Sequence, residues 1–467
     1  MERASFSHAQ PRNSYSDSDD GLSDIDHLGA LGPEALARSK RNTYILFLGM
    51  GLATLLPWNL FISAFEFYRY QFAGGSHLQT FQNSFSVAYM VTNFLSTIYA
   101  MVTVTRTDPN KRILRGLVAN TLAYVVGVAM PLMREHRGDT SFYIALLQLV
   151  TTAVSSGMLT NSLFALVSHF SPSHVEGVLS GQAVAGLIAT AAQLVTAYTV
   201  SPAIPPSPQL LAPTASADAN EGLVARTIAY FAFATLVNLA LTAAFVYIKR
   251  DPYYQRQSRL ACPLPSAYGN AISESELLVS SAQLSPLASG TGAFKAVFKQ
   301  ISGYAYVILL DFAITLSVFP SVTALVVSTS GFKLLTEWHF LVYNIGDYLG
   351  RRAAPSIPIF RVSSLMAIAL ARILLIPAFF VCHLSFSVWY NWIESDYVFL
   401  CLVVALGITN GYLSTRSAII APGLSDQPTI AGSIVAISIG TGLATGSLLS
   451  WPVRAAGCLC SPLGGGH

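Results

Sequence analysis

Eleven long apolar stretches recur along this chain, each close to the ~20 residues a helix needs to cross the hydrocarbon core of a bilayer. They fall near 43–66, 81–104, 113–133, 142–170, 176–200, 223–248, 302–327, 335–350, 363–384, 397–423 and 429–451. Charged residues make up only 10% of the sequence, against roughly 25% in a soluble globular protein. A chain so poor in charge is solvated largely by lipid. The predicted fold class is therefore an all-α polytopic membrane protein of eleven transmembrane helices, with the lipid bilayer as its first partner. No folded water-soluble domain is expected, and the five cysteines form no metal-ligand constellation.

The positive-inside rule sets the orientation. With the N-terminus in the cytoplasm, eighteen of the 26 Lys and Arg fall on cytoplasmic segments. Five precede the first span, four lie in the Arg106–Arg115 loop, six in 249–299 and three around Arg351–Arg361. An odd number of spans then puts the C-terminus on the other side. Residues 1–42 are read as a disordered, acidic, Ser-rich cytoplasmic tail, because such a segment buries too little apolar surface to fold. They lack the apolar core of a cleavable signal. Residues 249–301, rich in Ser, Pro and Ala, read as a flexible cytoplasmic linker between a six-helix bundle (43–248) and a five-helix bundle (302–451). Glu274–Leu278 in that linker has the form of an acidic dileucine sorting signal, a pattern that also arises often by chance. Residues 452–467 form a non-cytoplasmic tail. Two bundles flanking a central site is how many alternating-access carriers are built.

The eighth span carries the chemistry. Asn344, Asp347 and Arg351 lie at i, i+3 and i+7, on one face of one helix, with Phe340 one turn earlier and Gly350 beside the arginine. Ionisable residues at membrane depth are costly and mark polar pathways or internal pairs. The acid-then-base spacing of Asp347 and Arg351 also suits an internal salt bridge, and a pair that breaks and re-forms can serve as a gate.

Other spans add polar or helix-breaking groups. The first has Pro57, Trp58, Asn59 and Ile62. Pro57 frees a backbone carbonyl one turn earlier, Asn59 offers hydrogen bonds, and Trp58 offers a stacking face. The alternative for these residues is a proline kink with Trp58 as an interfacial anchor. The fourth span has Thr160 and Asn161, and the fifth has Gly181, Gln182 and Gly186, which read chiefly as close helix packing. The seventh has Asp311 and then Phe319-Pro320, an aromatic beside a helix break. The tenth has Asn410 and Arg416, and Arg372 lies within the ninth.

With these motifs in place the chain resembles the equilibrative nucleoside transporter family. Leu56-Pro57-Trp58-Asn59 resembles the family's first-helix signature, and Asn344-x-x-Asp347-x-x-Gly350-Arg351 its eighth-helix signature. Pro172 through Gln182, Phe319-Pro320 and Asn410-Gly411-Tyr412 follow in family order, so the resemblance covers 43–451. The acidic Ser-rich tail suggests a fungal-type member. The resemblance implies a fold similar to the major facilitator superfamily and facilitated diffusion of purine and pyrimidine nucleosides, adenosine and uridine among them, and sometimes nucleobases.

By that resemblance Asp347 accepts from ribose hydroxyls and Arg351 donates to them. Trp58 and Ile62 line the base pocket, Phe319 and Phe340 add apolar walls, and Asn344 orients the helix or touches substrate. Where many members carry Gln in the fourth span this chain has Thr160 and Asn161, so Asn161 is the candidate for the amide's role. Pro57, Gly181, Gln182, Gly186, Pro320, Gly350 and Asn410 are assigned to packing and gating.

The physics agrees: a nucleoside joins an aromatic face to a polyhydroxylated sugar that suits a carboxylate–guanidinium pair. A carrier of another polyhydroxylated solute, such as a sugar, is the alternative. An intramembrane enzyme would need paired groups in a catalytic motif, and Asp311 with Asp347 lies in none. No P-loop or cofactor motif is found, so primary active transport is not expected; the chain is read as a monomeric carrier with no cofactor and no nucleic-acid polymer as partner. Proton coupling through Asp347 stays open, as does the choice between plasma membrane and a vacuolar or other internal membrane.

Overall fold

The computed structural model describes residues 32–78, 80–133, 138–199, 217–261, 290–359, 361–384, 387 and 389–457. Most of the Ser-rich N-terminal segment, the Glu274–Leu278 motif and residues 458–467 lie outside the described residues. The described chain is helical throughout, with two isolated β-bridges. In chain order the α-helices are α1 (Pro33–Ser63), α2 (Phe65–Gln71), α3 (Phe81–Val102), α4 (Pro109–Ala129), α5 (Asp139–Val167), α6 (Pro172–Thr199) and α7 (Ala217–Ile248). There follow α8 (Pro252–Ala261), α9 (Gly290–Val318), α10 (Leu335–Ala353), α11 (Val362–Ala371), α12 (Leu375–Phe380), α13 (Asp396–Gly423) and α14 (Pro428–Gly457).

Local chemistry sets many of these boundaries. Five helices, α1, α4, α6, α8 and α14, begin at a proline, the first-turn position where its missing N–H costs nothing and its fixed φ helps. Asp108 and Ser395 cap α4 and α13 by accepting from Asn110 N and Val398 N. At the other extreme α9 stops at Val318, ahead of the cis Phe319–Pro320 peptide.

Among the described residues, ten helical segments are long and apolar enough to cross a membrane. Helix α10, at the eighth expected span, is not among them: its 19 residues include Glu337, Asp347, Arg351 and Arg352. It buries Asp347 and Arg351 against its neighbours while Ile345 and Leu349 face outward. The ninth expected span is not one continuous helix. It divides into α11, a 3-10 turn at Arg372–Leu374, and α12. The segment read as a flexible linker contributes helix at both ends, since α8 occupies 252–261 and α9 begins at 290. Tyr253 and Tyr254 hold α8 in place, packed into the core beside Phe170 and Phe245.

The outward faces carry large apolar side chains such as Leu122, Leu147, Leu236 and Leu448. Apolar exposure of this extent suits a lipid surround. Inside, α1 packs on α6, α9 on α14 and α10 on α13, each pair in long contact. Contacts between α6 and α10, α5 and α14, and α3 and α14 join the two ends of the chain. Glycines permit the closest approaches. A methyl group on Gly51 or Gly181 would strike the carbonyl of Val178 or Leu48 between α1 and α6. Gly350 and Gly411 hold the same relation to Ile408 and Asp347 between α10 and α13.

Candidate functional site

The backbone contact of α10 and α13 brings polar side chains from separate helices onto one buried line. Arg351 Nε donates to Asp347 Oδ2 at 2.8 Å, one turn along α10. Both residues are about 4% exposed, so the pair exchanges little with solvent and its geometry is held by its neighbours. On the other oxygen, Asn410 Nδ2 of α13 donates to Asp347 Oδ1 at 2.7 Å. Thr315 of α9 then donates to Asn410 Oδ1 at 2.8 Å.

Arg372, in the 3-10 turn between α11 and α12, donates through Nη2 to Thr315 Oγ1 at 2.6 Å and through Nη1 to the Asp311 carbonyl at 3.1 Å. It also forms an ion pair with the Asp311 carboxylate. Two buried charge pairs are thus joined through one hydroxyl and one amide. Arg351 Nη1, by contrast, is buried with no hydrogen-bond partner. A guanidinium donor left open beside a carboxylate is arranged to meet hydroxyl groups, which both donate and accept.

The aromatic residues gather on the same helices. Phe319 stacks on Tyr343 with centroids 4.0 Å apart and meets Phe340 edge-on at 5.3 Å. His339 adjoins both, with Thr323 at 3.3 Å from its Nε2. Pro320 is exposed at the turn that follows α9.

On the other half of the chain, α1 runs unbroken through the buried Pro57. Trp58 is half-buried and lies over Tyr89 of α3, centroids 4.9 Å apart. Ile62 is half-buried one turn further on. Asn59 faces a different way, into a groove it shares with Ala185, Ala189 and Tyr230 of α6 and α7.

Thr160 is half-buried. Asn161 is fully buried in α5, where Ser433 of α14 donates to its Oδ1 at 3.3 Å and its Nδ2 has no partner. Gln182 of α6 donates to Thr54 of α1 at 3.2 Å, beside the Gly181 contact. Asn344 donates to the Phe340 carbonyl of its own helix, and its Oδ1 lies against Gly186 of α6. Gly186 therefore seats α6 on α10 one turn before Asp347.

Two groups had no assigned role in the sequence. Thr315 has no signal of its own. Arg372 carried the same intramembrane-charge signal as Arg351, but no spacing tied it to a partner, because Asp311 lies 61 positions away. A third cluster crosses between the halves: Arg352 Nη1 lies 3.0 Å from each carboxylate oxygen of Glu176, and Tyr44 and Ser180 donate to the same carboxylate.

Comparison with known proteins bears on the chain as a whole. The sequence model described as Nucleoside transporter matches residues 146–455. The chain is similar to equilibrative nucleoside transporter 2 of Homo sapiens, 25% identical over 88% of this chain and 96% of that protein. It is likewise similar to equilibrative nucleotide transporter 8 of Arabidopsis thaliana, 22% identical over 88% and 95%. Among solved structures, the E. coli fucose:proton symporter FucP matches with a TM-score of 0.52 at 14% identity, over 90% of this chain and 96% of that one. The proton:xylose symporter XylE matches with a TM-score of 0.55 at 9% identity, over 89% and 88%. At such identities these two establish the fold, that of the major facilitator superfamily, and nothing about substrate.

Proposed function

This chain belongs to the nucleoside transporter family, and we propose that it carries purine and pyrimidine nucleosides, adenosine and uridine among them, by facilitated diffusion through alternating access. It is a multi-pass membrane protein, and its relatives and structural neighbours are transporters rather than enzymes. The observation that carries the reading is the buried Asp347–Arg351 pair, in which Arg351 keeps an open donor at Nη1.

Each Asp347 oxygen has a further lone pair beyond those taken by Asn410 and Arg351, so a ribose hydroxyl can donate to the carboxylate while accepting from Arg351. The base then needs an apolar slot, which Trp58, Ile62, Phe319 and Phe340 supply. Asn161, with its free amide donor, reads the base edge. Asn344 orients α10 through its contact with Gly186. In this scheme the two bundles, 43–248 and 302–451, rock about the site with the N-terminus on the cytoplasmic side, and the carrier acts as a monomer.

The test is uptake of labelled adenosine and uridine into proteoliposomes of the purified protein, with and without an inward proton gradient, beside Asp347→Asn. Saturable uptake of both, lost in the variant, is the expected result. Uptake of neither from folded protein overturns the proposal. Competition by excess glucose rather than by nucleobase would redirect it to sugars.

A further inference from the structure

Arg372 lies apart from the Asp347–Arg351 pair, on the far side of Thr315 and Asn410, yet hydrogen bonds connect them without a gap. The polarity of that chain is forced from both ends. A guanidinium only donates and an ionised carboxylate only accepts. Arg372 Nη2 therefore fills a lone pair of Thr315 Oγ1, and the single Thr315 proton must go elsewhere. Two acceptors lie at 2.8 Å, the Asp311 carbonyl and Asn410 Oδ1. The Asp311 carbonyl already accepts from Arg372 Nη1 and from the Thr315 N–H one turn along α9, which fills both of its lone pairs. Asn410 turns its NH2 toward the Asp347 oxygen that accepts from it, so its Oδ1 faces Thr315 and takes the proton. Every hydrogen bond then points from Arg372 toward Asp347.

We infer that Arg372, with Thr315 and Asn410, is a positioning residue of the transport site: this relay fixes the rotation of the Asp347 carboxylate. With Asn410 held on Oδ1 and Arg351 Nε on Oδ2, the plane of the carboxylate is set by two helices. The remaining lone pairs and Arg351 Nη1 are thereby presented together. The alternative is a mere structural pin. Against it stands the cost of burying Arg372 and Asp311 at membrane depth, where an apolar pair of similar volume holds helices as well or better. The inference rests on the reading of Asp347 as the ligand of the sugar hydroxyls.

The experiment compares KM for adenosine uptake in proteoliposomes with Kd for labelled adenosine on the purified protein in detergent. Thr315→Val keeps the shape and removes the hydroxyl; Thr315→Ser restores it. Thr315→Val is expected to raise KM and Kd together by roughly tenfold, the scale of one charge-assisted hydrogen bond, with Vmax near that of the parent and a thermal midpoint lowered by the buried donor and acceptor it leaves without a partner. Thr315→Ser should stay within about twofold of the parent. The double variant Arg372→Leu with Asp311→Leu removes both charges without stranding either, and it should match Thr315→Val.

Thr315→Val with unchanged KM and Kd overturns the relay, as does a loss that Thr315→Ser fails to rescue or an effect confined to Vmax. Asp347→Asn is measured alongside. Normal binding there overturns the underlying reading of the site. A defect there with a normal Thr315→Val overturns the relay alone.

Discussion

At the scale of single residues, the energetics turn on which charge is left alone. Asp347→Asn keeps a side chain of the same shape, and its amide oxygen can still accept from Arg351 Nε. The expected outcome is a folded, inserted protein whose adenosine uptake falls by roughly 10- to 100-fold, from the loss of a charge-assisted contact worth about 1.5–3 kcal/mol. Arg351→Ala is the harsher change, because it strands the Asp347 carboxylate at 4% exposure. Removing one partner of a buried pair costs about 3–5 kcal/mol, so this variant should unfold at a lower temperature in detergent than Asp347→Asn; equal midpoints would refute that ranking. Asn161→Ala probes a single neutral donor. The free Nδ2 predicts a rise in KM of roughly 2- to 10-fold, read in the same uptake assay with adenosine and uridine compared. Helical spacing placed Asp347 with Arg351 directly. It could not place Arg372, whose partners Asp311, Thr315 and Leu406 lie on other elements.

At the scale of elements, apolar length located most of the helices, and the failures share a cause. Ten segments read as spans because composition alone identifies them. The break at Arg372–Leu374 lies one turn ahead of Pro377, which cannot donate to the Ile373 carbonyl. The same turn is where the buried Arg372 reaches Asp311 and Leu406, a tertiary contact that the apolar pattern does not show. The linker helix α8 is a similar case. Its sequence is polar, yet Tyr254 donates to Asn110 at 2.7 Å and packs on Phe47 and Phe170, contacts that exist only once α1, α4 and the turn after α5 are assembled. The seam between α10 and α13 gives a prediction at this scale. Gly411→Val places its Cβ on the Asp347 carbonyl and adds two methyl groups to the same seam. The helices must separate, and overpacking of this kind costs typically 1–3 kcal/mol. The thermal midpoint should drop by several degrees and adenosine affinity should fall with it, since Asn410 and Asp347 sit on that seam. An intact midpoint with normal affinity would show that the seam tolerates the widening.

At the scale of the whole molecule, the cross-half contacts decide which face of the carrier is closed. Tyr44 near the start of α1, Glu176 near the start of α6 and Arg352 near the end of α10 meet at one end of the bundle. In the proposed orientation this is the end that faces the cytoplasm. The Arg352 side chain is about half exposed, so its pair with Glu176 is discounted to about 1 kcal/mol for screening. A contact made in one conformation and not the other shifts the balance by its own energy. Glu176→Gln should therefore alter the ratio of KM values measured from the two sides of a proteoliposome membrane by roughly fivefold, and an unchanged ratio would remove this contact from the gating equilibrium.

The sequence by itself determined the membrane class, the near-complete set of spans, the charge asymmetry behind the orientation and the one helix face bearing Asp347 and Arg351. These follow from hydropathy and the 3.6-residue period, which are local properties of a chain. Only the tertiary structure decided that Asn410 and Arg351 share the Asp347 carboxylate, that Arg372 feeds them through Thr315, and that Glu176 meets Arg352. Periodicity states which face a residue occupies. It does not state which distant helix that face will meet, and that is settled by the glycine seams along which the helices close.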